Sequence, residues 1–336
     1  MTTSKPSEPR RTLIDRRLNA VYPAFAILAG VRLDVFTALK DGPATAEDLA
    51  QVLDVNAFKL ETLLYALVMA DLLTVTEDRF TNTAEADHYL VQGRPNYIGN
   101  KIAYYAERWA ADLKTAESVR TGVPQGKLDF TSMSESELTA FYGAGHAAAL
   151  AAGRQLAQTY DLCRFGSLLD VAGGSGGLAI EACQRCPELR ATVIDLPTVT
   201  PITQRFVDEA QMGSRVQVSS LDVVEKAPEG QYDVAVLANL IQVLARDQAR
   251  RALLNVGGVL VPRGAVFILG WVLDDNQLSP PEIAASNFAF LNIYDEGRAL
   301  TEAAHRAWLL EADFKTFERT LLPSGESIIR AEKGGQ

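Results

Sequence analysis

Apolar residues follow two different spacings along the chain. From about Leu13 to Leu156 they recur mostly at intervals of three and four positions, which is the pattern of amphipathic helices. From Gly166 onward, short apolar runs alternate with helical stretches, which is the pattern of βαβ units. We therefore predict a mostly helical domain followed by an α/β domain with a doubly wound, mostly parallel, Rossmann-like sheet.

The first domain has the pattern of a winged helix-turn-helix. A long helix is predicted over Thr12–Leu39, and Thr45 is placed to cap a short helix, Ala46–Leu53. Asn56 is placed to cap the next helix, which repeats leucine at spacings of three and four residues. Two short strands, Leu73–Val75 and Arg79–Asn82, then form the wing.

The second helix of the turn distinguishes a nucleic-acid partner from a protein partner. A DNA-reading helix presents Lys, Arg, Asn or Gln to base edges. Here residues 56–67 carry one lysine, Lys59, and one glutamate, Glu61, among mainly apolar side chains. We therefore predict that this domain forms a protein–protein interface, in a homodimer, and does not bind nucleic acid.

Helices over Ile98–Arg120 and Glu135–Leu162 are predicted to bridge the two domains. Between them Thr121–Met133 is rich in Gly, Thr, Ser and Pro, which predicts a loop. The predicted organisation is a disordered leader (1–11), a winged-helix dimerisation domain (12–100), pocket-lining bridging helices (101–162) and the α/β domain (163–336).

Length and charge limit the classes of function. The chain has 336 residues, enough for two domains, and a formal net charge of −10. An acidic surface repels phosphate backbones and anionic lipid, and no apolar run reaches the ~18 residues of a membrane span. We therefore expect neither a nucleic-acid nor a membrane partner.

The three cysteines indicate a reducing, cytoplasmic setting, because they are too few for a disulfide scaffold. Cys183 and Cys186 form a CxxC pair, but no second pair and no nearby histidine accompanies them. We predict that both are buried helix residues and that the chain has no metal site.

The strongest chemical signal is the segment 167–177, which reads S-L-L-D-V-A-G-G-S-G-G. An apolar strand leads to Asp170, and a glycine turn then opens a helix. Glycine lets the backbone approach a ligand closely, and a helix N-terminus offers free N–H groups to an anionic group such as a carboxylate. The segment therefore predicts a cofactor loop.

Polar residues also follow the next three predicted strands. The strand 191–194 leads to Asp195, which is placed to accept both hydroxyl groups of a ribose. Asp222 follows the next strand and suits an adenine amino group, and Asn239 follows the fourth. Ligands bind at the carboxyl ends of parallel strands, so these residues predict one cofactor site.

The cofactor choice lies between S-adenosylmethionine (SAM) and NAD. A dinucleotide site needs room for a pyrophosphate and usually lacks an acid just before the glycines. Asp170 stands there and would face a positively charged ligand, which favours SAM, with S-adenosylhomocysteine (SAH) as the product. A glycine turn that merely packs the helix on the sheet stays an alternative.

At these residues the chain resembles the dimeric small-molecule O-methyltransferases of plants and bacteria, including the caffeate and hydroxyindole enzymes. Residues 170–176 match the family's D-V-G-G-G-x-G, with Ala172 in place of the first glycine. Residues 194–197, I-D-L-P, match its F-D-L-P. The two motifs together are quite specific, and the resemblance covers nearly the whole chain.

The resemblance implies a roughly seven-stranded SAM-binding domain and a homodimer whose N-terminal helices help to close each other's pocket. It also implies cofactor contacts. By match, the methionine end would be held by Asp170, Gly173, Gly174 and Gly176, the ribose by Asp195 with Leu196, and the adenine by Asp222 with Val223.

Three proton-handling positions depart from the family pattern. Gln242 stands where the family has its general base, a histidine, and an amide cannot take a proton from a phenol. Gly270 and Ala299 stand where the family has acids. We therefore expect Gln242 to orient the acceptor and not to deprotonate it.

The chain has only three histidines, so few residues can replace the missing base. His146 lies on a helix whose family counterpart lines the pocket, and a chemical role or a packing role stays open for it. His305 is expected to be solvent-exposed. His88 belongs to the N-terminal domain.

The residues expected to face the substrate are mainly aromatic, which predicts a flat, apolar molecule. They are Phe141, Tyr142, Trp271, Phe288, Asn292 and Tyr294. We predict a SAM-dependent methyltransferase acting on a small aromatic or polyketide-like metabolite. Two alternatives stay open: a SAM-binding enzyme with a non-methylating reaction (decarboxylation, hydroxylation or a pericyclic step), and a winged-helix regulator that senses SAM.

Overall fold

The computed structural model describes residues 11–335. Their contacts divide the chain into two compact units, one ending at Glu107 and the other beginning at Arg108. The predicted disordered leader lies outside the described residues apart from Arg11. Within the described part, no helix is both long and apolar enough to cross a bilayer.

The described part of the first unit consists of short helices and an antiparallel strand pair, and it reproduces the predicted helix-turn-helix and wing. In chain order its elements are α1 (Thr12–Asn19), α2 (Tyr22–Arg32), α3 (Val35–Ala38), α4 (Ala46–Leu53), α5 (Ala57–Met69), β1 (Leu73–Thr76), β2 (Arg79–Asn82), α6 (Ala84–Tyr89) and the start of α7 (Gly99–Asp112).

The prediction of one helix over Thr12–Leu39 is wrong, because the helix is interrupted twice within this range. Pro23 stands in the first turn of α2, where its missing N–H is tolerated, and this favours a new helix start after Asn19. Asp34 then adopts a left-handed conformation, with φ +56°, and ends α2.

The caps predicted for α4 and α5 are confirmed. Thr45 Oγ1 accepts the Asp48 N–H at 3.1 Å, and Asn56 Oδ1 accepts the Lys59 N–H at 3.0 Å. Each cap satisfies an N–H group that the first helical turn leaves without a partner. The apolar face of α5, including Leu64, is buried in the core of this unit.

Helices lead into the second unit, namely the end of α7, then α8 (Thr115–Thr121) and α9 (Glu135–Thr159). The single helix predicted over Ile98–Arg120 is therefore two helices. Thr115 Oγ1 donates to the carbonyl oxygen of Asp112 where they meet, which competes with helical hydrogen bonding. As predicted, the segment between α8 and α9 has no helix or strand.

The second unit then forms a seven-stranded sheet in the order β10-β11-β7-β6-β3-β4-β5. Strands β7, β6, β3, β4 and β5 run parallel, which confirms the predicted fold class. The elements are β3 (Ser167–Val171), α10 (Gly177–Arg185), β4 (Arg190–Asp195), α11 (Thr200–Glu209), β5 (Val216–Ser220), β6 (Tyr232–Ala238), α12 (Arg246–Gly258), β7 (Leu260–Gly270), β8 (Val272–Leu273), α13 (Pro281–Ser286), β9 (Leu300–Thr301), α14 (Glu302–Glu311), β10 (Phe314–Leu321) and β11 (Ser327–Lys333).

Both faces of this sheet are covered, and successive residues of β3 point to opposite faces. Leu169 and Val171 belong to the apolar cluster that includes residues of α12 and α14. Leu168 belongs to the cluster that includes residues of α9 and α10. Asp170 alternates with the first pair, so its carboxylate lies on the face that α10 covers.

The cysteine expectation requires a correction. Cys163 and Cys186 form a disulfide, which joins the turn before β3 to the end of α10. Cys183 is free and buried in α10, as predicted. No spacing motif links positions 163 and 186, so the strand–helix fold is what brings them together. The cytoplasmic location rested on reduced cysteines and stays a prediction.

Close packing of α9 on α10 depends on Gly153, and we predict that Gly153→Ala lowers the free energy of unfolding by about 1–3 kcal/mol. A Cβ at this position would lie 2.6 Å from the Leu178 carbonyl oxygen. Gly145 on the same helix is exposed and has no atom within 4 Å of such a Cβ. Gly145→Ala is the matched control and should stabilise the protein by up to about 1 kcal/mol. Denaturant unfolding measures both, and a stabilising Gly153→Ala would contradict this packing.

Candidate functional site

The carboxyl ends of the parallel strands bring the predicted site residues to one edge of the sheet. Val171 of β3 pairs with Ile194 of β4 and with Leu237 of β6, and Leu237 pairs with Ile268 of β7. The segments that follow therefore lie side by side. They are the glycine loop (residues 172–177), the predicted ribose acid, the turn after β6 and the end of β7.

The glycine loop needs unusual backbone angles. Gly174 and Gly176 have φ values of +58° and +70°, a region in which a side chain is strained. Ala172 adopts φ +52° at the position where the related motif has glycine. A Cβ at Gly173 would lie 2.8 Å from the Cγ of Asp170. The loop therefore lies directly against the acid that precedes it.

Asp170 is a buried carboxyl group without a partner. Its side chain is 1% exposed, and neither carboxylate oxygen has a hydrogen-bond partner among the described residues. Burial raises the pKa of Asp170 to about 7; the nearby Ala179 N–H lowers it, and the charge of Asp195 raises it further. A cation would stabilise the charged form of this carboxyl group, and no side chain among the described residues donates a hydrogen bond to it.

Asp195, at the end of β4, is held by two backbone groups. Its Oδ2 accepts the Gly174 N–H at 2.8 Å, and its Oδ1 accepts the Leu196 N–H at 2.7 Å. Burial raises the pKa of Asp195 to about 6, and the two backbone hydrogen bonds offset part of this rise. Each oxygen keeps lone pairs for further donors.

Asp222 lies two residues beyond β5, beside the end of β4. The Leu221 N–H donates to the Asp195 carbonyl oxygen at 2.8 Å, which fixes this neighbourhood. Asp222 is exposed, and its Oδ1 accepts the Val224 N–H at 2.9 Å. Val223 is buried beside it. The structure therefore brings both predicted adenine residues to the same edge as Asp195.

His146 supports the glycine loop from α9. Its Nδ1 is 2.9 Å from Ser175 Oγ, and its ring stacks on Phe206 of α11 with centroids 4.2 Å apart. Burial lowers the pKa of His146, and the charge of Glu209 partly offsets this. These contacts place His146 on the side of the loop that faces α11, which packs on β4 and β5.

Gln242 fills the space beside Gly270. Gln242 is 5% exposed, and its Nε2 donates to Asn239 Oδ1 at 2.9 Å. A Cβ at Gly270 would overlap Gln242 Oε1 and lie 3.0 Å from its Cδ. The two departures from the family pattern are therefore in contact, and an acid at position 270 would require Gln242 to move.

The third departure, Ala299, lies in an apolar setting. It is buried in a small cluster with Leu273 and Ile283, which Trp271 partly covers. Its backbone N–H donates to Asn287 Oδ1 at 2.7 Å. None of these neighbours of Ala299 is titratable.

An aromatic row follows β7. The Trp271 ring lies 4.8 Å from that of Phe290, which lies 5.6 Å from Tyr294, measured between centroids. Trp271 and Tyr294 were predicted to face the substrate, and Phe290 connects them. The row begins one residue after Gly270, at the same edge of the sheet as the glycine loop.

Tyr142 lies between the glycine loop and this row. Its ring is 5.2 Å from Phe141, and a Cβ at Gly174 would meet Tyr142 Cε1 at 2.7 Å. Burial raises the pKa of Tyr142 well above its usual range, and repulsion from Asp195 and Tyr294 adds to the effect. Tyr142 is therefore close to the loop with Phe141 beside it, and their contact with the substrate stays a prediction.

Two predicted substrate residues have other surroundings. Asn292 is fully buried in a polar network: its Oδ1 accepts Ser118 Oγ at 2.8 Å, and its Nδ2 donates to Asp112 and Thr115, each at 2.9 Å. Through these hydrogen bonds, the side-chain amide of Asn292 holds α8 against the segment after α13. Phe288 is 47% exposed in the single chain.

The prediction that His305 is solvent-exposed is wrong. Its side chain is 1% exposed, and its Nδ1 is 2.9 Å from the Thr301 carbonyl oxygen one turn earlier in α14. Burial lowers the pKa of His305 to about 4. A single histidine in an amphipathic helix does not reveal which face it occupies. His88 lies in the first unit, with its Nε2 2.7 Å from Asn96 Nδ2.

Three contact residues were not predicted from the sequence. Thr203 Oγ1 donates to the Gly174 carbonyl oxygen at 2.5 Å and anchors the loop. Ser175 lies within the glycine motif, but the motif itself carries no signal for the contact between Ser175 and His146. Phe290 lies four positions before the predicted Tyr294, and this helical spacing could have suggested it. Thr203 carries no sequence signal.

A concavity of about 440 Å³ lies at the edge strand β10, away from this site. Arg319 lines it and is already paired with Asp274 at 2.7 Å and Glu302 at 3.2 Å. None of the predicted site residues lines this concavity, so we assign it no role.

Two family models match the chain. Residues 119–315 match the O-methyltransferase domain, and residues 17–92 match the O-methyltransferase dimerisation domain. The first region contains the glycine loop, Asp195, Asp222 and Gln242. The second contains the helix-turn-helix and its wing.

Individual relatives agree with these matches. The 3-hydroxy-5-methyl-1-naphthoate 3-O-methyltransferase of Streptomyces sahachiroi is 30% identical over 90% of this chain and 88% of its own length. The tetracenomycin polyketide synthesis 8-O-methyl transferase of Streptomyces glaucescens is 29% identical over 92% and 93%. The structure of human N-acetylserotonin methyltransferase in complex with SAM has a TM-score of 0.82 at 22% identity, covering 99% of this chain and 100% of that chain.

We predict that Asp170→Asn flattens the pH dependence of stability in the ligand-free protein. With a folded pKa of about 7 against 3.8 in the unfolded chain, Asp170 makes the free energy of unfolding fall as pH rises through this window. The variant should be about 1–4 kcal/mol more stable than the parent at pH 8 and gain little at pH 4.

Urea unfolding between pH 4 and 8 measures this effect. Asp222→Asn is the matched control, because Asp222 is exposed, and it should leave the curve unchanged. If the free energy of unfolding varied with pH in the same way in the parent and in Asp170→Asn, the carboxyl group of Asp170 would not be destabilised by burial.

Proposed function

Because this chain belongs to the O-methyltransferase family, we propose that it transfers the methyl group of SAM to a hydroxyl group of a small aromatic or polyketide-like metabolite. The predicted family, fold class, methyltransferase activity and SAM cofactor are confirmed. Methyltransferase activity is favoured over the two alternatives, a non-methylating SAM-binding enzyme and a SAM-sensing regulator. What we propose is the acceptor chemistry and the role of each residue.

The observation that carries the proposal is the unpartnered carboxylate of Asp170 beneath the glycine loop. SAM is positively charged at its sulfur and at its amino group, and when bound it supplies an electrophilic methyl group on that sulfur. A buried carboxylate without a protein partner is stabilised by such a charge. A pyrophosphate would add negative charge beside Asp170 and Asp195, which disfavours NAD.

The remaining cofactor contacts follow the strand ends. Gly173, Gly174 and Gly176 let the loop approach the methionine end, and the free N–H groups at the start of α10 suit its carboxylate. Asp195, oriented by the Gly174 and Leu196 amides, would accept the ribose hydroxyl groups. Asp222 and Val223 would bind the adenine, and Asn239 would close the site on the β6 side. His146 would act as a positioning residue for the loop.

The acceptor would lie between the cofactor and the aromatic row. Trp271, Tyr294 and Tyr142 present flat surfaces that suit a fused ring system. The two Streptomyces relatives are named for a naphthoate and a polyketide, which have such rings. One Gln242 Nε2 hydrogen is bound by Asn239, and the other would orient the acceptor oxygen.

A homodimer through the first unit is part of the proposal. The dimerisation-domain match covers residues 17–92, and large apolar side chains of α1 and α2 are exposed in the single chain. They are Leu13, Ile14, Leu18, Tyr22 and Phe25. A monomer rarely exposes so many apolar side chains together, so we propose that a second copy covers them.

We predict that Asp195→Ala abolishes methyl transfer and weakens SAM and SAH binding by at least about 100-fold. The loss follows because two charge-assisted hydrogen bonds contribute about 1.5–3 kcal/mol each. The assay incubates purified protein with SAM and hydroxynaphthoates, and mass spectrometry detects the methylated product.

Asp208→Ala is the control, because Asp208 is an exposed acid on α11 and should leave both properties unchanged. Thermal unfolding of each variant verifies that it is folded. Full methyl transfer by a folded Asp195→Ala variant would contradict the assigned cofactor site.

A further inference from the structure

The side chains that follow β6 and β7 cannot take a proton from an acceptor. Asn239 and Gln242 are amides, and Gly270 has no side chain. The amides are bonded to each other at 2.9 Å, and Gln242 occupies the volume beside Gly270. These three side chains carry no charge, in contrast with the acids within β3 and at the end of β4.

Each of the three histidines of the chain has a contact of its own. His146 is bonded to Ser175 and stacked on Phe206, on the side of the loop that faces α11. His305 is buried in α14. His88 lies in the first unit, where its ring contacts Asn96.

Four further titratable groups near the site, three carboxyl groups and one phenol, are unsuited to the task. Asp170 and Asp195 lie on the cofactor side, below and beside the glycine loop. Asp112 accepts a hydrogen bond from the buried Asn292. The buried phenol of Tyr142 holds its proton. Along β7, which packs against the turn containing Gln242, the only ionisable side chain is Arg263, far from the carboxyl end.

We infer that the acceptor reaches the site already ionised: its hydroxyl group is one that loses its proton to water near neutral pH, such as a phenol or enol conjugated to a carbonyl group. The inference rests on the proposed function, because it specifies the acceptor of the same site. A plain phenol, with a pKa of about 10, is about 0.1% ionised at pH 7. The acceptor anion also matches the positive charge of the methyl donor.

The transfer step then needs no proton acceptor in the protein. The acceptor oxygen forms a bond to the methyl carbon while the bond from that carbon to sulfur breaks. The electron pair of the broken bond stays on sulfur, which becomes the neutral thioether of SAH. The acceptor's proton has already gone to water, so positioning supplies the catalysis, worth about 7–11 kcal/mol at most.

The test uses two hydroxynaphthyl ketones of the same shape, each with its hydroxyl group conjugated to the carbonyl group, and one with a fluorine that lowers the pKa of that hydroxyl group. We expect log kcat/KM to rise with pH and to level off at the pKa of the acceptor. The pH of this break should therefore differ between the two acceptors by the difference between their pKa values. His146→Gln should leave both breaks in place, whatever its effect on the rate. A single break shared by both acceptors, or a break lost in His146→Gln, would overturn the inference.

A spectroscopic measurement tests the ionisation without turnover. The acceptor is bound in the presence of SAH, and the absorbance of its phenolate form is followed against pH. We expect the bound acceptor to be ionised at and above its pKa in water. A bound acceptor that stays protonated at pH values above that pKa would overturn the inference.

Gln242→His supplies a second test. The new base should raise kcat/KM of the less acidic acceptor at pH 7 by at least tenfold and leave that of the more acidic acceptor within about threefold. An equal increase for both acceptors would contradict the inference. If the folded parent binds neither SAM nor SAH and forms no product at any pH, the proposed function itself fails, which these profiles distinguish from a shared break.

Discussion

The rest of the site depends on one unbalanced charge, the carboxylate of Asp170 inside the sheet domain. It lies on the face of β3 that α10 covers, and neither of its oxygens has a hydrogen-bond partner among the described residues. Removing a carboxylate from water costs several kcal/mol unless a cation or donors replace the water. The protein tolerates this cost because the surrounding sheet is well packed on both faces. A positively charged ligand at the glycine loop offsets this cost, and the offset contributes to the binding free energy of SAM.

Charge is distributed unevenly along the carboxyl edge of the sheet. The chain carries acids within β3, at the end of β4 and after β5, and the Gly174 N–H connects Asp195 to the glycine loop. After β6 and β7 it carries the Asn239–Gln242 amide pair and Gly270. The first half suits a cationic donor, and the second suits a flat acceptor that needs orientation and not proton removal. This division is consistent with cofactor motifs that are kept beside proton-handling positions that are not.

The parts predictable from the sequence were those encoded by local patterns. The glycine loop, Asp195, the caps of α4 and α5 and the alternation of strands and helices each follow from a few adjacent residues. The errors concern contacts between distant residues. Spacing does not reveal that Cys163 meets Cys186 or that His305 faces the core. The end of α2 depends on the left-handed conformation of Asp34, which the spacing of apolar residues does not reveal. The overlap of Gln242 with the space at Gly270 appears only when β6 and β7 are side by side.

The most direct test of the central claim is isothermal titration of folded, ligand-free protein with SAM, SAH and NAD at pH 7, in two buffers of different ionisation enthalpy. We expect micromolar binding of SAM and SAH and none of NAD. SAM binding should release a fraction of a proton, because Asp170, with a pKa of about 7, ionises as the cation binds. SAH keeps the amino group of the methionine end, so it should release protons too, although it lacks the sulfonium charge. Absence of SAM and SAH binding, or binding of SAM without proton release, would contradict the account.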